Sequence, residues 1–302
     1  ILGNPKIAPF AVMPSDGRPD EELLSEYQNY LKGWVEGLET ISNIAGTEGE
    51  QPCIYYEWNN RYSYKRSSCL YDNMLSKVSR YAVRGILWYQ GESEAMDGHA
   101  DVYQTTLHTL YQMLYREQQQ ERLPFLMVQL APWTADNVQG WENVCNAQRQ
   151  FSLDVSECGM VTIGDCGGGE DIHPPRKQPV GERLAAAALC REYGIWGEYS
   201  GPIAVSAQQY NDIILVRFTH GHGLHMKRET GRFQIRYTDG LTEQVSAEIA
   251  GDCIYLSCDA SRKAAFAEYE YRIDASIDLF NDSGLPASLF QLEVKGMSEN
   301  DK

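Results

Sequence analysis

From about residue 68 to residue 200, short apolar runs alternate with longer segments of helical period, and this alternation restricts the fold more than any other feature. The runs at 85–89, "LPFLMVQLAP" and "GMVTIGD" are nearly continuous in hydrophobicity, as strands buried on both faces are. Between and after them lie "DVYQTTLHTLYQMLYREQQQ" at 101–120, "WENVCNAQRQF" and the Ala-rich "QPVGERLAAAALCREYG", which read as helices. Strands alternating with helices predict a parallel α/β sheet, because parallel neighbours are joined through a crossover that is usually helical. Upstream, residues 20–43 carry Leu23, Leu24, Tyr27, Leu31, Trp34 and Leu38 at helical spacing with acids near the start, which predicts a covering helix.

Past "WGEYSGP" the pattern changes. From about residue 203 the runs "DIILVRFTH", "FQIRYTD", "SAEIAGDCIYLSC" and "AEYEYRI" are short, alternate in polarity and are separated by Gly, Asp and Asn turns. An antiparallel β unit is predicted there, so two domains are expected: an α/β domain over 1–200 and a β-rich domain over 201–302.

Composition enters through what it excludes. A formal net charge of −16 repels phosphate backbones and anionic membrane surfaces, so neither nucleic acid nor a membrane is expected as partner, whereas a neutral sugar is compatible. No apolar run approaches the roughly 18–20 residues that a membrane-spanning helix requires. The eight cysteines, at 53, 69, 145, 158, 166, 190, 253 and 258, form no C-x-x-C pair. Structural zinc is therefore not expected; buried free thiols are the first reading and one or two disulfides the second.

Two stretches carry residues suited to catalysis. "LWYQGESEA", residues 87–95, is one residue away from the Gly-x-Ser-x-Gly turn that presents a reactive serine, with Ser93 in the serine position. "GEDIHPPRK" offers His173 flanked by Asp171 and Glu170, the base and acid that such a serine needs.

Taken together, "YAVRGILWYQGESEA", "DIHPPRKQPVGERLA" and "LFNDSGLPASLF" resemble the sialate O-acetylesterase group of SGNH hydrolases, which are carbohydrate acetylesterases, from about residue 68 onward. The resemblance implies a flavodoxin-like three-layer SGNH sandwich followed here by the antiparallel β domain. It implies Ser-His hydrolysis without metal or cofactor. In that group the nucleophile stands in a Gly-x-Ser block at the end of the first strand, far upstream of "WYQGES", and a second block supplies an oxyanion-hole glycine. Neither block is found here, and Ser15 in "MPSDG" follows no strand. The expectation is that these residues are the C-terminal portion of the enzyme, with the nucleophile on an N-terminal segment or a companion polypeptide. Without a central strand, a parallel sheet would present unpaired edges and apolar area.

The resemblance also assigns roles. His173 is the general base and acid, and Asp171 orients it. Glu170 and Asp165 are alternatives, since many SGNH enzymes place the acid three residues before the histidine, where Glu170 stands. Gln90 donates to the oxyanion with Gly91 beside it, and Glu92 and Ser93 brace the loop. Trp88, Tyr89 and Trp133 are sugar-stacking or core residues; Arg176 and Lys177 contact an acidic sugar or solvate a helix start. His220, His222 and His225 in "THGHGLH" lack a local carboxylate or cysteine cluster and are expected on a solvated hairpin or site rim rather than at a metal. Asn281 begins an Asn-x-Ser glycosylation site. The implied reaction releases acetate from an O-acetylated carbohydrate, either sialic acid or a plant-polysaccharide unit such as acetylated xylose. Its rivals are a non-catalytic carbohydrate-binding or scaffold protein on the same fold, and a divergent hydrolase using Ser93.

Overall fold

The computed structural model describes residues 70–79, 81–96, 98–133, 138–167, 169, 171–227, 233–269 and 277–296. The helix expected at 20–43, Ser15, Cys53, Cys69 and Glu170 lie outside these residues. Strand β1 (Ile86–Trp88), helices α1 (Glu92–Met96) and α2 (Tyr103–Gln118), β2 (Phe125–Val128), α3 (Val138–Asp154), β3 (Cys158–Val161) and α4 (Gln178–Glu192) follow in order.

The chain divides into two compact units, Ile1–Val83 with Val102–Leu123, and Arg84–Asp101 with Pro124–Lys302. In the first, α2 buries Tyr103, Thr106, Leu107, Leu110 and Met113, whose three- and four-residue spacing makes one stripe. Its start and end fall two residues inside the run predicted at 101–120, where Gln119 turns left-handed and stops the helix. Tyr71 Oη donates to Glu117 Oε1 at 2.8 Å and Gln118 Nε2 to the Ser79 carbonyl at 2.9 Å, tying the preceding segment to the helix end.

The second unit contains the two large sheets and a two-stranded pairing of Leu279–Phe280 with His225–Met226. The three apolar runs pair in parallel in the order β1-β2-β3, with Leu87 opposite Leu126 and Leu126 opposite Gly159. Every residue of β2 and β3 is buried. Leu126, Val128, Val161 and Ile163 pack with Val180, Leu184 and Ala187 on the α4 side. Phe125 meets Phe151 of α3 edge-on, 5.6 Å between centroids. Successive strand side chains point to opposite faces, so the two helices cover opposite faces of the sheet.

After α4 come β4 (Ile203–Tyr210), β5 (Ile213–Thr219), β6 (His225–Met226), β7 (Phe233–Tyr237), β8 (Thr242–Val245), β9 (Ala247–Ala250), β10 (Cys253–Ser257), β11 (Ala264–Tyr269), β12 (Leu279–Phe280) and β13 (Phe290–Lys295). Eight of them form one sheet, ordered β8-β7-β11-β13-β4-β5-β10-β9, antiparallel except where β13 lies parallel to β4. The result is a mixed α/β structure with a parallel sheet and a larger, mostly antiparallel one.

The segment 281–290 joins the two sheets. Gln129, just past β2, exchanges bonds with Leu289: its Nε2 donates to the Leu289 carbonyl at 3.4 Å, and the Leu289 N–H donates to its Oε1 at 3.2 Å. Thr162, just past β3, donates to the Pro286 carbonyl at 2.6 Å and accepts from the Gly201 N–H at 3.0 Å. A Cβ at Gly201 would meet the Pro286 oxygen at 1.7 Å, so only glycine allows this approach. Arg149 of α3, 1% exposed, reaches the Ala204 carbonyl at 2.7 Å and the Gln291 carbonyl at 3.3 Å. Burial lowers its pKa to about 10.

Asn281 belongs to this junction rather than to the surface. It is 1% exposed; its Nδ2 donates to the Ser200 and His220 carbonyls at 2.9 and 3.0 Å, and its Oδ1 accepts from the Leu285 N–H. The sequon read from the sequence is thus not a glycosylation site in the folded chain, because the amide nitrogen that would carry the glycan is buried and bonded.

Candidate active site

Past Trp88 the backbone turns through Gln90 and Gly91 into α1. Gly91 adopts a φ of 143°, a value that residues with a Cβ avoid. Its carbonyl accepts the Ala95 N–H at 3.1 Å, and Gln90 Nε2 donates to Glu94 Oε2 at 2.5 Å. Gln148 of α3 holds this turn from below: its Nε2 donates to the Gln90 carbonyl at 2.9 Å and its Oε1 accepts from the Leu130 N–H at 3.0 Å. The ends of β1 and β2 are thereby bridged. Glu92 and Ser93 open α1, both half-buried.

Gln148 was not singled out from the sequence. Its signal lay in its place: with Trp141, Val144, Cys145 and Phe151 it shares the buried stripe of α3, and it is itself 0% exposed. A polar side chain on such a stripe needs hydrogen-bond partners, which here are the two strand ends.

The second element is the loop 171–177 between β3 and α4. The His173 side chain is 86% exposed and that of Asp171 70%. Asp171 Oδ1 accepts the main-chain N–H of His173 at 2.8 Å, an Asx turn that shapes the loop. The same oxygen lies 3.8 Å from His173 Nδ1, beyond hydrogen-bond length.

Asp165 sits elsewhere. Both of its oxygens are held by Arg183 of α4, at 2.6 and 2.7 Å, and Arg183 also donates to the Thr162 carbonyl at 2.8 Å. Burial pushes the Asp165 carboxyl up, but the hydrogen bonds and charge of Arg183 outweigh it and hold the group below its ordinary value. The loop is tied on both sides: Arg176 donates to the Asp165 carbonyl at 2.7 Å, and the Lys177 ammonium lies 4.8 Å over the Tyr89 ring and 3.4 Å from its hydroxyl. Burial, then the charge of Glu92, pushes the Tyr89 phenol well up, so it stays neutral.

The aromatic candidates pack partly inward. Trp88 lies against Phe125 at 5.9 Å and Trp133 against Trp141 at 5.1 Å between ring centroids, both half-exposed. The three histidines of "THGHGLH" take separate partners. His220 Nδ1 lies 2.6 Å from Glu198 Oε1, His222 Nδ1 2.6 Å from Asp282 Oδ2, and His225 Nδ1 2.9 Å from the Gly223 carbonyl. Carboxylates distant in sequence therefore accompany two of them, which the local pattern did not show. Among the described residues no cluster of three or more His, Cys, Asp or Glu could hold a metal ion. Cys145, Cys158 and Cys166 are free and buried; Cys190, Cys253 and Cys258 are free and partly exposed.

Comparison with known proteins finds relatives of this chain. Residues 53–190 match the family of carbohydrate esterases described as sialic acid-specific acetylesterase. This part of the chain is sialate O-acetylesterase-like. A search of curated proteins finds no match. Among solved structures, a carbohydrate acetylesterase from Xanthomonas citri is similar at 28% identity with a TM-score of 0.70, over 76% of this chain. The chain spans 55% of the length of that protein.

The three blocks that carried the resemblance occupy three places. "WYQGES" forms the turn after β1, "DIHPPRK" the loop before α4, and "LFNDSGLPASLF" the junction of the two sheets. The first two bear the candidate catalytic residues, and the third is architectural in every contact described above.

Proposed function

We propose that the chain is the larger part of a serine-type carbohydrate O-acetylesterase on a flavodoxin-like SGNH sandwich, with residues 1–200 the hydrolase part and 201–302 a β-rich domain. The observation that carries this reading is the position of the Gln90–Gly91 turn and the His173 loop, both past the carboxyl ends of parallel strands and linked through Tyr89 and Lys177. In open α/β sheets that end is where ligands bind.

In this mechanism a serine Oγ attacks the acetyl carbonyl while His173 takes its proton. The Gln90 side-chain amide and the Gly91 N–H donate to the developing oxyanion, and Glu92 braces the turn. Collapse expels the sugar alcohol with a proton from His173 and leaves an acetyl-enzyme, which a water activated by His173 hydrolyses to acetate. Asp171 steadies the imidazolium once the 3.8 Å separation contracts around bound substrate, as catalytic hydrogen bonds do. The substrate is an O-acetylated sugar, sialic acid or an acetylated plant-polysaccharide unit.

The serine, in this reading, comes from an N-terminal segment or companion polypeptide carrying a Gly-x-Ser block. One feature of the sheet supports it. Among the described residues β1 is an edge strand, and its apolar Leu87 is 63% exposed, whereas β2 and β3 are fully buried. A parallel strand laid against β1 would pair its edge, and the crossover helix that accompanies such a strand would cover the face that Leu87 occupies.

A fluorophosphonate probe, which reacts with activated serines, tests the assignment. Labelling of the purified material followed by peptide mass spectrometry is expected to mark a serine outside the 302 residues, and the label is expected to vanish in His173→Ala. A label on Ser93, or on any serine within this chain, would overturn the proposed source of the nucleophile.

A further inference from the structure

We propose that Lys177, acting through Tyr89, is a positioning residue that registers the His173 loop against the oxyanion turn; the catalytic part of this inference rests on the reading of His173 as the base. The loop 171–177 leaves Asp171, His173, Pro175, Arg176 and Lys177 exposed, Ile172 half-buried and only Pro174 buried. Such a segment gains little from packing and is held by its polar anchors.

The two anchors differ in what they fix. Arg176 donates to the Asp165 carbonyl, 11 residues back, which ties the loop to the end of the strand it has just left. Lys177 reaches Tyr89, 88 residues away, at the end of β1. Tyr89 is packed against the cluster formed by Leu126, Val128, Val161 and Val180, so its ring is a rigid platform. The ammonium lies over the ring face at 4.8 Å, where the ring quadrupole attracts a cation, and the neutral hydroxyl accepts from it at 3.4 Å. Gln90 and Gly91 are the two residues that follow Tyr89. The Lys177 contact therefore sets the distance between the loop that carries the base and the turn that carries the oxyanion donors, and a displacement near 1 Å between such groups can cost on the order of 100-fold in rate.

Hydrogen exchange and steady-state acetate release on the purified protein, with whatever polypeptide accompanies it, test the inference together. In Lys177→Met, which keeps the apolar stem and removes the charge, the amides of Asp171, Ile172, His173, Arg176 and residue 177 should exchange about tenfold faster while those of α4 stay unchanged. The kcat should fall about tenfold with KM within about twofold, and Lys177→Arg, which restores a cation over the ring, should recover most of the loss. Unchanged exchange in the loop would overturn the anchoring whatever the activity. A raised KM with intact kcat would overturn positioning in favour of direct substrate contact. Full turnover in His173→Ala would overturn the catalytic part and the assignment of the base, and the anchoring would then be decided by exchange alone.

Discussion

The carboxyl edge of the parallel sheet is treated in two opposite ways along its length. Past β2 and β3 it is sealed: Gln129 and Thr162, each 1% exposed, are bonded to Leu289 and Pro286 of the segment that leads into β13. Past β1, among the described residues, Gln90 is half-buried, and beyond the sealed end of β3 the chain emerges as the loop 171–177, tethered to Tyr89, with the His173 side chain 86% exposed. The polar groups of the sealed half bond to one another across the junction. Those of the open half lie nearer solvent, with Gln90 half-buried and the His173 side chain exposed. The difference teaches where reactants can approach: among the described residues the β-rich segment covers Gln129 and Thr162 just past β2 and β3, while the turn after β1 and the later part of the loop after β3 lie outside that seal.

Substitutions in each half sharpen the contrast. The largest effect on stability is expected at Arg149, where Met would remove the donors to the Ala204 and Gln291 carbonyls, at a cost of about 3 kcal/mol in urea unfolding, while Asn146 Oδ1 keeps the Gln291 N–H. Asn281→Ala follows at about 2 kcal/mol, since one buried and two partly buried main-chain groups lose their partner. An unchanged midpoint in either variant would mean that the junction is not the rigid half.

Asp165→Asn comes next, at about 1 kcal/mol near neutral pH, and its pH dependence is specific. The folded carboxyl lies below its ordinary value, so the native state binds fewer protons than the unfolded chain as both titrate. The stability contributed by the Arg183 pair is fully present above about pH 4 and is lost as pH falls through the folded pKa. Wild type and variant should therefore converge in acid; parallel curves down to pH 2 would refute the pairing. The smallest effect is expected for Leu87→Lys, within about 0.5 kcal/mol in the isolated chain because the side chain is already exposed. The same change should impair association with a companion polypeptide, measured by co-purification, if β1 receives a strand.

Much of the architecture was readable because of how each element is buried. β2 and β3, covered on both faces, gave unbroken apolar runs, and the 3.6-residue period located α2 to within two residues; β1 carries a similar run but is not buried, with Leu87 63% exposed. "DIILVRFTH" and "FQIRYTD" contain β5 and β7, and "SAEIAGDCIYLSC" splits into β9 and β10 at the turn formed by Gly251 and Asp252. What pattern could not supply was partnership over long separations. Nothing local in β13 indicates that it runs parallel to β4, or that Arg149 on an amphipathic helix aims at carbonyls more than fifty residues away. Asn281 shows the same limit from the other side: its sequon is a three-residue pattern, while its burial depends on Ser200 and His220. At the candidate site, the turn at Gln90–Gly91 and the loop at His173 were visible as motifs. Their supports, Gln148 and the Tyr89–Lys177 contact, were not, because both reach across the fold.

The most direct measurement is acetate release from an O-acetylated sugar, comparing the purified material with its His173→Ala variant. Turnover lost by at least about 10³-fold in the variant, with its unfolding midpoint unchanged, is the result expected if the open half of the sheet edge carries the chemistry. Equal turnover in the two proteins would contradict it.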